Sequence, residues 1–113
     1  MSARLTSDML VGALRRRVQT EGGMATVLHK GESQSGTIVV QIVDRGENIG
    51  FFERITGLDG TVQLTSCGPQ GAVQQAEIYQ YIERRTRVDP DIWVVELDIA
   101  DGQRFAAEVL CAA

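Results

Sequence analysis

Histidine, lysine and cysteine are scarce in this chain, and their scarcity excludes several kinds of chemistry. Among 113 residues there are one histidine, His29, one lysine, Lys30, and two cysteines, Cys67 and Cys111. A zinc site built from several imidazoles and thiolates, or a Cys–His pair oriented by a second imidazole, is therefore nearly excluded. Two cysteines do not form a disulfide framework, so we expect both thiols to stay reduced.

Long apolar segments are also missing. The chain has no run of about 18 apolar residues, so we predict no membrane-spanning helix. The apolar stretch Met9-Leu10-Val11 is too short for the apolar region of a signal peptide, and three arginines follow it. We therefore predict a cytoplasmic protein without a membrane partner.

Basic charge is limited too. The formal net charge is −4 and the isoelectric point is near 4.9. Phosphate neutralisation needs a basic surface, so this balance argues against a general nucleic-acid binder. No glycine-rich loop is followed by Lys-Ser or Lys-Thr, and no cofactor is predicted. The length and the 43 % hydrophobic content are typical of a single domain spanning residues 1–113.

The spacing of apolar residues predicts two helices. Helix one is expected from Ser7 to Glu21, with Ser7 as its N-cap. Helix two is expected from Ala72 to Arg87, with Arg85 at the end of its apolar stripe. An arginine in that position usually extends its charged head to water. The alternative is a buried ion pair with an acid of residues 89–98.

Three consecutive arginines, Arg15, Arg16 and Arg17, fall in the second half of helix one. Cations at that end of a helix complement its dipole, so a solvated basic face is the simplest interpretation. The alternative is binding of an anionic partner, such as a phosphate group or RNA.

Alternating and β-branched residues predict four strands in the first two thirds of the chain. They are expected at Met24 to Lys30, Thr37 to Asp44, Phe51 to Thr56 and Thr61 to Thr65. The second is apolar on both sides, which is typical of a central strand covered on both faces. The last two are expected to form a hairpin around Asp59-Gly60, with Ile55 opposite Leu64. The polar segment Arg45 to Gly50 is expected to be a loop.

The segment Asp89 to Asp98 contains the only tryptophan and four carboxylates. Alternate residues of a strand share a face, so Trp93, Val95 and Leu97 are expected in the core, and Glu96 is expected on the opposite side. The first two acids of the segment flank a proline, which is a common way to stop a helix and turn the chain.

A last strand is expected from Gln103 to Cys111, because the apolar residues Phe105, Ala107 and Val109 occupy alternate positions. A three-residue loop before it would keep the two apolar faces together. In that register Asp98 lies opposite Arg104 and forms an exposed cross-strand ion pair.

Glu96 is then the one carboxylate without a simple structural partner. The possible functional cluster is therefore Asp89, Asp91, Glu96 and Arg85. Pro90-Asp91 followed by Glu96-Leu97-Asp98 is similar to a nuclease pattern in which carboxylates hold a hard cation and a lysine orients the attacking water. Because Asp98 stands where that pattern has lysine, we assign no metal ligand and no catalytic residue.

The run from Arg87 to Leu97, followed by Asp101-Gly102-Gln103-Arg104-Phe105, resembles the C-terminal signature of an uncharacterised alphaproteobacterial family, domain of unknown function 1491. The resemblance extends to residues 13–16, 30–32 and 35–40, and so spans most of the chain. Ile99-Ala100 stand where the family has a second acidic pair. The resemblance implies a small bacterial cytosolic protein, and it implies no activity, cofactor or catalytic residue.

The sequence as a whole predicts an α+β fold with a mostly antiparallel sheet of about five or six strands and two helices, in the order α-β-β-β-β-α-β-β. Without a nucleophile–base pair, the expected function is a small cytoplasmic interaction or regulatory module that is not an enzyme. Its partner would be an unknown protein or a second copy, with a homodimer formed through the outer strand face or a sheet edge. Two alternatives stay open: a divalent-metal-dependent phosphodiesterase or nuclease using the clustered carboxylates, and anion or RNA binding through the arginines of helix one.

Overall fold

The computed structural model describes residues 5–112, which form three helices and five strands. In chain order the elements are α1 (Ser7–Thr20), β1 (Met24–His29), β2 (Ile38–Asp44), β3 (Glu47–Thr56), β4 (Val62–Cys67), α2 (Gln75–Val88), β5 (Trp93–Asp98) and α3 (Gly102–Leu110). The predicted α+β class and mostly antiparallel sheet are confirmed. No helix within residues 5–112 is long and apolar enough to cross a membrane.

The sheet has the strand order β1-β5-β2-β3-β4, so β5 is inserted between two strands that precede it in the chain. Three of the strand pairs are antiparallel, and the β2–β5 pair is parallel. Six of the seven residues of β2 are buried, because helices lie on both faces of the sheet. The predicted central strand is therefore confirmed.

Helices α1 and α3 cover one face of the sheet and enclose the larger core. Leu14 of α1 and Leu110 of α3 pack in one cluster with Trp93, Val95 and Leu97 of β5. These three β5 residues are at most 3 % exposed. The predicted assignment of alternate β5 residues to the core is right.

Helix α2 covers part of the opposite face. Its Ile78 and Tyr81 pack against Phe51 of β3 and Val94 of β5. The rings of Phe51 and Tyr81 meet edge to face, with their centroids 4.9 Å apart. This smaller cluster positions the polar groups of α2 over the sheet.

The segment Gln103 to Cys111, predicted as a strand, is instead within and just after helix α3. Residues 5–112 therefore contain three helices rather than two, and their last element is a helix. The buried side chains of α3 include Phe105, Ala106 and Leu110, whose spacing is that of a helix. The same segment also contains the alternating apolar residues that predicted a strand. A nine-residue element is too short for the two periods to be distinguished easily. The place beside β5 that the predicted strand would fill is taken by β1.

The cross-strand pair predicted between Asp98 and Arg104 is wrong for the same reason. Asp98 lies at the end of β5 between Met24 and Val43, and its Oδ1 accepts a hydrogen bond from the backbone N–H of Arg45 at 3.0 Å. Arg104 forms its shorter ion pair with Glu108 within α3, at 3.0 Å.

The hairpin turns differ from expectation in detail. Arg45 and Gly46 form a two-residue turn between β2 and β3, both with positive φ (53° and 83°), as a type I′ turn requires. The segment predicted as a loop up to Gly50 is therefore mostly strand. The β3–β4 hairpin around Asp59-Gly60 is confirmed, but its register sets Ile55 opposite Gln63 and not Leu64.

The N-cap of α1 is Thr6, one residue before the predicted Ser7. The Thr6 hydroxyl accepts a hydrogen bond from the N–H of Met9 at 3.2 Å. Ser7 is buried, and its Oγ donates to the backbone oxygen of Gly36 at 2.7 Å. This bond ties the start of α1 to the loop between β1 and β2.

Candidate functional site

Residues 31–37 and residues 89–93 meet in a tightly packed contact that we call the signature junction. The indole N–H of Trp93 donates to the backbone oxygen of Glu32 at 2.8 Å, and the backbone N–H of Trp93 donates to the backbone oxygen of Thr37 at 2.7 Å. In return the N–H of Glu32 donates to the backbone oxygen of Asp91 at 2.9 Å. The residues that carry the family resemblance therefore connect the two segments mainly through backbone groups.

Two glycines allow this close approach. A Cβ atom added at Gly31 would overlap the backbone oxygen of Asp91 and would lie 2.6 Å from Trp93 Cδ1. A Cβ atom at Gly36 would overlap the same Asp91 oxygen. Backbone packs directly on backbone here, which only glycine permits. The signature junction is therefore a structural contact.

Asp89 and Asp91 lie at the rim of this junction, where a concavity of about 340 Å³ also has Glu32 in its wall. The Oδ1 of Asp89 accepts a hydrogen bond from the N–H of Asp91 at 3.1 Å, which forms the predicted turn. Backbone hydrogen bonds from Ser35 and Gln34 lower the pKa of Glu32. In the described part of the chain, no group of three or more His, Cys, Asp or Glu residues is placed to hold a metal ion.

Glu96 lies away from those acids, in the middle of β5. Its neighbours across the sheet are Thr26 on β1 and Gln41 on β2. Glu96 is five positions after Asp91, about 16 Å along an extended chain. Its side chain is half-buried, and within residues 5–112 it forms no salt bridge. The structure does not bring Glu96 together with Asp89 and Asp91.

Arg85 forms an ion pair, but its partner comes from β3 and not from residues 89–98. Its Nη2 lies 2.6 Å from Glu53 Oε1, and its Nη1 donates to the Tyr81 hydroxyl at 2.6 Å. Burial opposes the charge of Arg85, yet the hydrogen bonds to Glu53 and Tyr81 outweigh burial and raise the pKa of Arg85 above its ordinary value. Burial, together with the neighbouring thiol of Cys67, raises the pKa of Tyr81 to about 12.

The three arginines of α1 do not act as one patch. Arg17 forms an ion pair with Glu108 of α3 at 2.8 Å, and its guanidinium carbon lies 5.0 Å from the centre of the Phe105 ring. Arg15 and Arg16 are exposed. One arginine therefore joins α1 to α3, and only the other two face solvent.

A groove of about 530 Å³ lies beside the start of α3, and sequence reasoning gave no sign of it. Ile42, Ile49 and Ile99 form its apolar wall, and Asp101 and Arg104 are among its polar residues. Because acids and an arginine line the groove together, the groove does not favour a ligand of one particular charge.

The edge strand β1 exposes a surface without charged residues. Its sequence, Met-Ala-Thr-Val-Leu-His, contains no proline and no Asp, Glu, Lys or Arg, which commonly protect an edge. Met24 and Leu28 are 69 % and 41 % exposed, and Ala25 and Val27 are only half-buried against the larger core. Within residues 5–112, no strand pairs with the outer side of β1.

Comparison with known proteins gives a consistent result for the whole fold. The family model DUF1491, described as a protein of unknown function, matches residues 5–107. A crystal structure of a DUF1491 family protein from Caulobacter crescentus is 38 % identical, with 90 % of this chain and 94 % of that chain covered and a TM-score of 0.76. An NMR structure of a DUF1491 family protein from the same organism is 37 % identical, with 92 % and 94 % covered and a TM-score of 0.75.

A third similar structure is the solution structure of a protein from A. tumefaciens. It is 31 % identical, with 86 % of this chain and 87 % of that chain covered and a TM-score of 0.70. Among the curated proteins, none matches the chain.

Proposed function

Since this chain belongs to DUF1491, a family of proteins of unknown function, its role has to be inferred from its own geometry. We propose that it is a small interaction module, not an enzyme, and that it self-associates through the outer side of β1. The observation that carries the proposal is the uncharged edge of β1, with exposed Met24 and Leu28 and no strand beside it in the described residues.

An unpaired edge strand offers a row of backbone N–H and C=O groups to another strand. The other edge of the sheet, β4, exposes polar side chains at Gln63, Thr65 and Ser66. The β1 edge instead leaves two apolar side chains in solvent and two more only partly covered. Addition of a strand to β1 would remove this apolar surface from water and would extend the core.

Two copies of β1 are self-complementary when they pair antiparallel about Thr26. Ala25 then lies opposite Val27 of the second copy, and Met24 comes near Leu28, which lies at the irregularity of β1 between Val27 and His29. Each apolar residue meets an apolar residue on both faces of the extended sheet. A symmetric pairing of this kind is the usual form of a homodimer interface, in which both copies use the same surface.

The charges at the two ends of β1 favour the same direction. Glu21, which also forms an ion pair with Arg17 at 3.4 Å, precedes the strand, and Lys30 follows it. Antiparallel pairing brings the lysine end of one copy beside the glutamate end of the other, whereas parallel pairing would place like charges together. Two six-residue strands form a small interface, so we expect a weak dimer whose population depends on protein concentration.

Sedimentation velocity over a series of concentrations tests the proposal. The unmodified chain should form a dimer as concentration rises, and Met24→Lys should remove it, because a charge would have to be buried against Leu28 of the second copy. Leu58→Lys is the matched control, since Leu58 is fully exposed at the tip of the β3–β4 hairpin and the added charge is the same. A monomer at every concentration, or a dimer that survives Met24→Lys, would contradict the proposal.

The geometry gives less support to the two alternatives. A divalent-metal phosphodiesterase needs converging carboxylates, but Glu96 lies far along β5 from Asp89 and Asp91. An anion or RNA site on α1 would have two of its three arginines available, because Arg17 is engaged by Glu108. A reducing compartment such as the cytoplasm suits the module, since both of its cysteines are free.

A further inference from the structure

Helix α2 is attached to the sheet by fewer apolar contacts than the other helices. Of its fourteen residues, only Ile78 and Tyr81 are buried. Helix α1 has the same length and buries four apolar side chains, and the nine-residue α3 buries three. Because the area removed from water sets the apolar part of the attachment, this part is the smallest for α2 among the three helices.

A polar contact compensates for this small apolar area. Arg85 joins the hydroxyl of Tyr81 on α2 to the carboxylate of Glu53 on β3, with both distances at 2.6 Å. The Arg85 and Glu53 side chains are 28 % and 22 % exposed, so the pair is partly shielded from solvent. We call this Tyr81–Arg85–Glu53 arrangement the α2 latch.

The segments on either side of α2 are fixed to the rest of the fold. Before the helix, the Nδ2 of Asn48 donates to the backbone oxygen of Gly71 at 2.8 Å, and the Nε2 of Gln70 donates to that of Phe51 at 3.0 Å. After the helix, the backbone oxygen of Asp91 is held by Glu32 in the signature junction. Motion of α2 is thereby confined to the helix and the few residues between these anchors.

From these contacts we infer that α2 is a lid that opens as a separate unit while the sheet, α1 and α3 remain folded, and that the α2 latch sets how often it opens. Opening would expose an apolar strip formed by Val39, Phe51, Ile92 and Val94, which α2 covers in the closed state. This strip lies on the sheet face that carries Thr26 and Met24 of β1. The inference does not depend on self-association of β1.

Native-state hydrogen exchange of the full chain in low concentrations of urea tests the inference. If α2 opens separately, the amides of residues 79–88 will exchange with little dependence on urea, while those of β2 will show the steep dependence of global unfolding. If α2 amides exchange with the same urea dependence and the same protection as β2, the helix opens only on global unfolding and the inference is overturned.

Variants of the latch give the second part of the test. Arg85→Met should raise the exchange rate of α2 amides about tenfold, because a hydrogen-bonded charged contact is lost while the aliphatic part of the side chain is kept. Arg87→Met is the matched control: Arg87 lies on the same helix and its ion pair with Glu83 is exposed, so a change of less than about twofold is expected.

Glu53→Gln removes the negative charge of the latch on the sheet side and so weakens its hydrogen bond with Arg85; it should act in the same direction as Arg85→Met. It serves as the test variant if Arg85→Met does not fold. Equal exchange rates in the unmodified chain and in the folded latch variants would show that the latch does not set the opening of α2.

Discussion

Replacement of Gly31 by alanine should destabilise the fold severely, although the change adds a single methyl group. The new Cβ would overlap the backbone oxygen of Asp91 and would lie 2.6 Å from an atom of the buried Trp93 ring. Neither neighbour is the free end of a flexible side chain. The two segments of the signature junction would therefore have to separate.

The magnitude follows from the contacts that such a separation would break. Two hydrogen bonds join the segments beside Gly31: Glu32 N–H to Asp91 and Trp93 Nε1–H to Glu32. At about 0.5–1.5 kcal/mol each they account for about 1–3 kcal/mol. Overpacking adds about 1–3 kcal/mol. We expect Gly31→Ala to lower the free energy of unfolding by about 2–6 kcal/mol.

Urea unfolding followed by far-ultraviolet circular dichroism measures this change. Gly12→Ala is the matched control, because Gly12 lies inside α1 and an added Cβ would approach only the flexible end of Arg16, at 3.4 Å. Removal of a glycine from a helix interior should raise stability by up to about 1 kcal/mol. A Gly31→Ala variant within about 0.5 kcal/mol of the unmodified chain would refute the role given to the junction.

The remaining predictions concern two side chains. Trp93→Phe should lower the free energy of unfolding by about 1–3 kcal/mol, measured in urea, because the buried ring shrinks and the Glu32 oxygen loses its donor. For Tyr81, the pKa rises from 10.0 to about 12 in the folded chain, so its contribution to stability is complete below pH 10 and is lost as pH rises towards 12. Tyr81→Phe should be less stable at neutral pH, since a hydrogen bond from Arg85 is lost. The free energy of unfolding should also fall less between pH 10 and pH 12 in Tyr81→Phe than in the unmodified chain. Measurements of this free energy at several pH values test the expectation, and an equal fall in both proteins would contradict it.

The parts of the fold that were predicted correctly are those in which one local pattern has one interpretation. β2 is apolar on both sides and proves to be the buried central strand. β5 alternates, and Trp93, Val95 and Leu97 share the core face as expected. β2 does not alternate, but it is short and consists mainly of β-branched residues, which favours a strand; in β5 the alternation itself favours a strand.

The last element shows why a short pattern fails. Phe105, Ala107 and Val109 alternate like a strand, while Phe105, Ala106 and Leu110 have helical spacing. The choice depends on tertiary structure: β5 already has β1 and β2 as neighbours, so a further strand has no place beside it. The pairing of β5 with strands more than fifty residues away is not encoded in any local motif.

A buried polar residue misled the prediction for the start of β3. Asparagine is a residue type common in loops, yet Asn48 is 7 % exposed and lies within the strand. Its Oδ1 accepts a hydrogen bond from Gln41, and its Nδ2 donates to the backbone oxygen of Gly71. Because these partners lie 7 and 23 residues away in the chain, the sequence gives no sign that the amide is satisfied inside the fold.

The candidate site was the least predictable feature. The carboxylates at Asp89, Asp91 and Glu96 stand out by composition, whereas the contacts that hold the signature junction are made by backbone groups and glycines. The partner of Arg85 lies 32 residues away, on β3. The strand β1 was predicted correctly, but its position at the edge of the sheet was not. That position depends on the insertion of β5 between β1 and β2.

The most direct test of self-association through β1 is a disulfide cross-link at the proposed symmetry axis. In an antiparallel pair, directly opposite residues have Cα atoms about 4.5–5.5 Å apart, which a disulfide can span. Under mild oxidation, Thr26→Cys should therefore form a covalent dimer linked through the two introduced thiols. Gln63→Cys, at an exposed position of the other edge strand, should not. Cross-linking of Thr26→Cys that is no faster than that of Gln63→Cys would contradict the account.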